Sequence, residues 1–304
     1  MLKRGILLVL GMFLLVISSC TTGPTQQGAI AQGIDIQFIE GYPDNTLIED
    51  DDFNVNLEVS NSLSYVVDYS LCIYGDRAEY YGGVPVSGVC KDGLKIPAAY
   101  EGQNDIIVPT TETKIYPGES SAFSYTNLDK GVGGANIRAI VEYGINSESN
   151  VDVCVLENKN YESEGEFICM SKETFSNFDI IQESSPLIVS KIEKDVRNVG
   201  GIPQMRVLIY LDKVPQGNIV RGYEEQFDKI TIGVSLRGTN AEFNCINQDE
   251  NSRVIFREGD AIECKANLDV GNGNVYKDSL LIRLGYPYEL ERKKHVSFDS
   301  SWEA

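Results

Sequence analysis

The sequence predicts an all-β chain built as two tandem β-sandwiches, and three observations carry that prediction. Apolar and polar residues alternate with period two in run after run, as in Phe53-Asn54-Val55-Asn56-Leu57-Glu58-Val59, Ile230-Thr231-Ile232-Gly233-Val234-Ser235-Leu236 and Ile262-Glu263-Cys264-Lys265-Ala266-Asn267-Leu268. Such runs are strands with one buried face. Gly, Pro, Asn and Asp punctuate them, Asn272-Gly273 among them as a hairpin turn, and no dozen-residue window past the N-terminal segment carries a helical stripe. Four segments also recur in the same order.

The recurrence pairs 34–40 with 187–193, 53–59 with 205–211, the turn and strand entry 115–120 with 256–261, and 137–155 with 280–298, which places Tyr143 on Tyr286. Internal repetition of this kind marks tandem copies of one module. Each copy holds about seven short strands with turns every 8 to 12 residues, the pattern of two sheets burying their apolar faces against each other. The small polar stretch Ser184-Ser185-Pro186 marks the boundary between the copies.

Ahead of the first copy, Lys3 and Arg4 precede a thirteen-residue apolar run, Gly5 to Ile17, that is too short to span a bilayer, which needs about 20 residues. Basic start, apolar run and small-residue exit make a secretory signal peptide. Its exit, Ile17-Ser18-Ser19-Cys20, resembles the lipobox of prokaryotic lipoproteins: an aliphatic residue, two small ones and a cysteine. That resemblance implies lipidation of Cys20, which becomes the mature N-terminus, and a two-chain anchor of the kind that holds a protein on a membrane. The expected organisation is a signal peptide (1–19), an anchor cysteine and flexible tether (20–33), a first sandwich with an extra disulfide-bonded hairpin (34–184) and a second sandwich (185–304).

Charge narrows the partners. Forty-five acids against 26 bases give a formal charge of -19, which excludes nucleic acid, because phosphate affinity comes from clustered Lys and Arg. Beyond Cys20, six cysteines fall in three sequential pairs: Cys72 with Cys90, Cys154 with Cys169, and Cys245 with Cys264. An even number in an exported chain predicts disulfides, and local pairing is the simplest of the fifteen connectivities. No Cys-x-x-Cys and only one histidine leave no zinc cluster, and neither metal nor cofactor is expected.

The run Tyr116-Pro117-Gly118-Glu119-Ser120-Ser121-Ala122-Phe123-Ser124-Tyr125, set between an N-terminal strand pair and a later alternating strand, resembles the immunoglobulin-like modules of prokaryotic surface proteins, especially the CARDB-like, cell-adhesion-related type. The Cys…Trp…Cys signature of antibody domains is absent, since the single tryptophan is Trp302. The resemblance implies tandem immunoglobulin-like sandwiches and an adhesive role.

Catalytic chemistry finds little support. His295 lies in Arg292-Lys293-Lys294-His295 with no nucleophile partner in view, and the chain carries no Gly-x-Ser-x-Gly elbow, Walker loop or Gly-x-Gly-x-x-Gly. Glu49-Asp50-Asp51-Asp52 reads as a solvated loop rather than a calcium loop, since consecutive residues point in alternating directions. Asp269 to Asn274 reads as a hairpin. The segment from Tyr65 to Tyr100 is the most distinctive surface: Tyr74, Tyr80, Tyr81 and Tyr100 flank a Gly-rich loop closed by the expected Cys72–Cys90 bridge. Rigid tyrosine rings with Gly and Ser suit recognition at low entropic cost, so these four are the expected partner-binding residues. The sequence thus predicts a non-catalytic, membrane-anchored extracytoplasmic binding or adhesion module, or an envelope spacer, with a protein or glycan partner at the envelope. An accessory subunit of an export, pilus or transport assembly is the alternative, and an enzyme acting on envelope polysaccharide ranks third.

Overall fold

A computed structural model describes residues 33–103, 107–128, 133–156, 169–220, 228–239, 241, 243–268 and 275–299. Ala31–Ala304 forms one compact unit. Cys20, the expected signal peptide and all of the expected tether but Gly33 lie outside the described residues, as does the expected hairpin at 269–274.

The first copy contributes β1 (Ile34–Phe38), β2 (Thr46–Leu47), β3 (Asp52–Phe53), β4 (Val55–Asn61) and β5 (Val67–Gly75). A four-residue helix, α1 (Ala78–Tyr81), follows, and then β6 (Val89–Ile96), β7 (Tyr100–Glu101), β8 (Ile107–Val108), β9 (Thr110–Tyr116), β10 (Phe123–Ser124) and β11 (Gly134–Leu156). β12 (Lys172–Ser176) and β13 (Ile181–Gln182) precede the expected boundary. Beyond it come β14 (Leu187–Val199), β15 (Ile202–Lys213), β16 (Asn218–Ile219), β17 (Lys229–Leu236), β18 (Asn244–Cys245), β19 (Arg253–Ile255), β20 (Ala261–Asn267) and β21 (Val275–Phe298). The all-β expectation holds among the described residues.

The sheets repeat the duplication seen in the sequence. β1-β4-β9 in the first copy corresponds to β14-β15-β20 in the second, where β12 and β18 flank the trio to make five strands. The other layer of both copies is one nine-stranded sheet whose path runs β19-β17-β21-β11-β5-β6, a palindrome about the β21–β11 pair. β11 and β21 are 23 and 24 residues long, roughly 75 Å at strand rise, so each crosses both copies. They pair antiparallel along nearly their whole length, and Gly144 lies opposite Pro287. Since Tyr143 matches Tyr286 in the repeat, Gly144 and Pro287 are each other's counterparts, and the pseudo-two-fold axis passes through that pair.

Three of the four recurrent segments occupy equivalent places: β1 with β14, β4 with β15, and β11 with β21. The third does not. Val55 in β4 pairs with Tyr116 of β9, and its counterpart Val207 in β15 pairs with Cys264 of β20, so the equivalent of β20 is β9, which precedes the Tyr116-Pro117-Gly118 turn. The strand after that turn, β10, pairs with β3 instead. Two tight turns feeding strands look alike in sequence, whereas the ladder partner separates them.

Burial alternates along both long strands, and Ala139, Val141, Tyr143 and Ile145 share the inner face with Tyr286, Tyr288 and Leu290. There each copy makes a matching internal hydrogen bond. The Ile34 N–H donates to the Tyr143 hydroxyl (3.1 Å), and the Leu187 N–H donates to the Tyr286 hydroxyl (2.9 Å). Burial raises both phenols above the ordinary tyrosine value, so both remain neutral and able to serve as acceptors. The rings of Tyr143 and Tyr286 each pack edge-on against Tyr288. Both small sheets therefore start on the same face of the large sheet, and among the described residues its other face is open around the pseudo-axis. The expected boundary at 184/185 falls between β13 and β14, and the copies on either side share the nine-stranded sheet.

Three disulfides join Cys72 to Cys90, Cys154 to Cys169 and Cys245 to Cys264, the local pairing expected from the sequence. Two are cross-strand: Cys72 lies opposite Cys90 in β5–β6, the disulfide-bonded hairpin, and Cys245 opposite Cys264 in β18–β20. The bridges fit an oxidising, extracytoplasmic compartment. No helix among the described residues is long and apolar enough to cross a membrane.

Candidate functional site

The tyrosines singled out from the sequence do not form one surface. Tyr80 stands in α1 with 74% of its surface exposed, its ring centre 6.2 Å from that of Tyr81, which packs partly against the core. Tyr74 is half-buried: Arg138 stacks over its ring and its hydroxyl lies 3.9 Å from the Cys90 sulfur. Tyr100 is exposed but lies at the far end of the hairpin, because Val67 pairs with Ile96 there while Ile73 pairs with Val89 at the α1 end. One hairpin length separates Tyr100 from Tyr80 and Tyr81. His295 is exposed, with Nδ1 3.1 Å from the Asn136 amide oxygen. Glu49 accepts the Leu128 N–H, and Asp50 turns the chain at positive φ. Among the described residues no three His, Cys, Asp or Glu converge as a metal site.

A different place on the molecule has the shape of a binding site. The open face of the shared sheet carries a groove of about 880 Å³ beside the pseudo-axis, within the ~300–1,000 Å³ of ordinary ligand sites. Its floor is set by register. Gly144 lies opposite Pro287, Asn146 opposite Gly285 and Glu148 opposite Arg283, and on the next strand Thr231 and Gly233 lie opposite Gly285 and Arg283. All of these occupy the outward positions of their alternating strands, so three strands bring Gly144, Gly233 and Gly285 onto one patch.

Glycine inside a strand sacrifices packing and marks a bulge or a close approach by another group. Here the protein's own packing asks for little. A Cβ at Gly144 would meet nothing within 4 Å, and one at Gly233 only the Arg283 Cβ at 3.9 Å; Gly285 alone is crowded, by the Asn146 amide oxygen at 3.3 Å. Pro287 lies between the stretches of β21 that pair with β16 and β17, outside both ladders, where a strand proline is tolerated, and its carbonyl accepts the Val220 N–H.

The rim is polar and held in place. β5 leaves β11 at Tyr143 and β13 joins it at Ser149, which would strand the edge groups between them. Tyr65 and Glu183 bond three of the edge groups. The Asn146 N–H donates to the Tyr65 hydroxyl (3.2 Å), the Glu148 N–H to the Glu183 carboxylate (3.2 Å), and the Glu183 N–H to the Glu148 carbonyl (3.1 Å). Tyr65 is positioned by the fully buried Asn61, whose amide donates to the carbonyls of Tyr65 (3.0 Å) and Pro97 (2.8 Å). Burial, with Glu183 adding to it, holds the Tyr65 phenol above its ordinary range. It accepts from Asn146 and keeps its own proton to donate. Arg283 Nε donates to the Glu148 carboxylate (2.9 Å) on the floor, and Ser252 and Thr231 complete the opposite wall.

The duplication makes the groove stand out. Gly285 corresponds to Glu142 in the first copy, and Gly233, opposite Arg283, corresponds to Cys72, opposite Ile140. On the first-copy side the same points of the sheet are therefore filled by Glu142, by Glu289 opposite it and by the Cys72–Cys90 bridge. Burial, together with neighbouring Glu142 and Glu291, raises the Glu289 carboxyl above the usual range. One frame used twice carries a groove on one side of its axis and an acidic patch on the other. No protein-family model matches the chain, and no curated protein matches it in sequence.

Proposed function

We propose that this chain is a lipid-anchored, extracytoplasmic, non-catalytic binding protein built from two immunoglobulin-like copies, with the groove on the open sheet face as its ligand site. The observation that carries this reading is the groove itself: floor glycines at 144 and 233 that the protein's own packing does not require, a polar rim in which Tyr65, Glu183, Glu148 and Arg283 are held by hydrogen bonds, and its presence on one side only of a duplicated frame. The disulfides support the compartment, and the lipobox-like Ile17-Ser18-Ser19-Cys20 supports the anchor. Binding at the groove needs no bond-breaking group. Glu148 is engaged by Arg283, Glu183 by the β11 edge, and no nucleophile–base pair lines the walls.

Mass spectrometry of the protein from native membranes, without reduction, tests the compartment and the anchor together. The expected mature protein begins at a diacylated Cys20 and carries three intact local disulfides, and Cys20→Ala moves it from the membrane to the soluble fraction. An unmodified Cys20, or free thiols at the six other cysteines, contradicts the reading.

A further inference from the structure

We infer that the groove takes a neutral carbohydrate chain; this deepens the binding reading above and rests on it. Three properties of the walls select the ligand class. First, most of the main-chain groups along the groove for which an extended peptide would compete already have partners. On β11 the Asn146 and Glu148 N–H groups and the Glu148 carbonyl are bonded by Tyr65 and Glu183, and on β21 the Pro287 carbonyl is bonded by Val220. Recognition of a peptide by strand addition depends on a run of open main-chain donors and acceptors, and these bonds interrupt that run.

Second, the charge disfavours anions. Among the described residues the groove is lined by two carboxylates, Glu148 and Glu183, and one guanidinium, that of Arg283, and Glu142 and Glu289 lie just across the pseudo-axis on the same face. The whole chain carries a formal -19. A phosphate, sulfate or uronate polymer would enter a negative field at every approach.

Third, the remaining chemistry suits hydroxyl groups over a flat apolar surface. Sugar hydroxyls donate and accept at once, and Asn146, Glu183, Thr231, Ser252 and Tyr65 offer amide, carboxylate and hydroxyl partners around the rim. Between them, the bare Cα atoms of Gly144 and Gly233 and the ring of Pro287 form a floor on which the C–H face of a sugar ring can lie. A side chain at either glycine would lift the ring away from that floor. A strand glycine without side-chain or turn duties costs roughly 0.5–1 kcal/mol of stability, and contact with a ligand is the role that the open space above Gly144 and Gly233 leaves for them.

The test follows from the same open space. Because a Cβ at Gly144 or Gly233 clashes with nothing among the described residues, Gly144→Val and Gly233→Val are expected to project into the groove and raise strand propensity. The full mature chain, purified without lipid, is titrated with chitotetraose, cellotetraose and mannotetraose, with a heparin tetrasaccharide and an extended decapeptide alongside, while the amide signals of Gly144, Gly233 and Gly285 are followed by NMR. The expected result is that at least one neutral tetrasaccharide shifts these signals and the heparin fragment and decapeptide do not. Affinity then falls at least about tenfold in the Gly144→Val/Gly233→Val double variant, a loss of roughly 1.4 kcal/mol, while the melting temperature holds or rises. Gly144→Ala serves as the milder variant if the double variant fails to fold, and a smaller loss in the same direction is expected. Failure of all three neutral tetrasaccharides to bind, binding that survives the filled floor, or binding by the peptide or heparin fragment alone overturns the proposal. The titration is independent of Cys20, so loss of the anchor reading leaves this outcome unaffected, and the reverse holds too.

Discussion

Replacing Glu173 with alanine is expected to cost about 3–5 kcal/mol, the largest loss from any single surface-reachable side chain. Its partner, Lys194, is fully buried, and the ammonium donates to the Cys154 carbonyl (2.6 Å), the Met170 carbonyl (3.0 Å) and the Glu173 carboxylate. The lysine thus ties both sides of the Cys154–Cys169 bridge to β14. Without Glu173 the charge remains buried with only carbonyl dipoles to hold it, whereas Glu173→Leu with Lys194→Met removes both charges. The double variant is therefore expected to recover most of the loss, as measured by urea unfolding. Burial lowers the Lys194 value below that of an ordinary lysine, about 10.4, despite the opposing pull of Glu173. A depressed lysine binds fewer protons folded than unfolded, so stability rises with pH between the folded value and about 10.4. The Glu173→Ala variant, with the opposing pull removed, should show this rise over a wider and lower window. A flat pH response in that variant would show that Lys194 is not the group being exposed.

The second large effect is expected at the seam. Ile145 is buried opposite Tyr286, where β11 passes from one copy to the other. Ile145→Ala should cost about 2–5 kcal/mol through lost contacts and a cavity. Because β11 and β21 belong to both copies, the loss should appear in both at once. Hydrogen-exchange mass spectrometry is expected to show peptides covering 55–61 and 205–211 opening in step, and calorimetry a single transition in wild type and variant. Opening of one copy while the other keeps wild-type protection would mean that the shared sheet does not couple them.

Much of this architecture was legible in the residues. Half-buried strands state themselves through period two, so β4, β17 and β20 sit where their alternation placed them. The bridges were readable because each pair is separated by 15 to 19 residues, a hairpin's length. The duplication was readable from β1 with β14 and from Tyr143 with Tyr286, whose shared hydrogen bond to a strand entry explains why both are tyrosines. What could not be read is which strands neighbour which. Local pattern made Tyr80 and Tyr100 look like one surface, and only the β5–β6 register sets them a hairpin apart.

The groove was hidden for the same reason. Gly144, Gly233 and Gly285 come from three strands and meet only through the β11–β21–β17 registers. A signal was present, since each glycine stands at an outward position of an alternating run, in Val141-Glu142-Tyr143-Gly144-Ile145, Thr231-Ile232-Gly233-Val234 and Arg283-Leu284-Gly285-Tyr286. Strand propensity disfavours glycine there, so three such choices point to something outside the strand. The Lys194–Glu173 pair gave no comparable sign, because a lysine at a strand position reads as exposed until its neighbours are known.

Hydroxyl-radical footprinting tests the location of the site most directly, comparing the protein in its native envelope with the purified chain. The reagent labels side chains, so the groove and the tyrosine loop are read separately in one experiment. The account predicts that Tyr65, Arg283 and Pro287 are shielded in the envelope while Tyr80 and Tyr100 label equally in both states. Shielding of Tyr80 or Tyr100 with an unprotected groove would contradict it and move the binding surface to the hairpin.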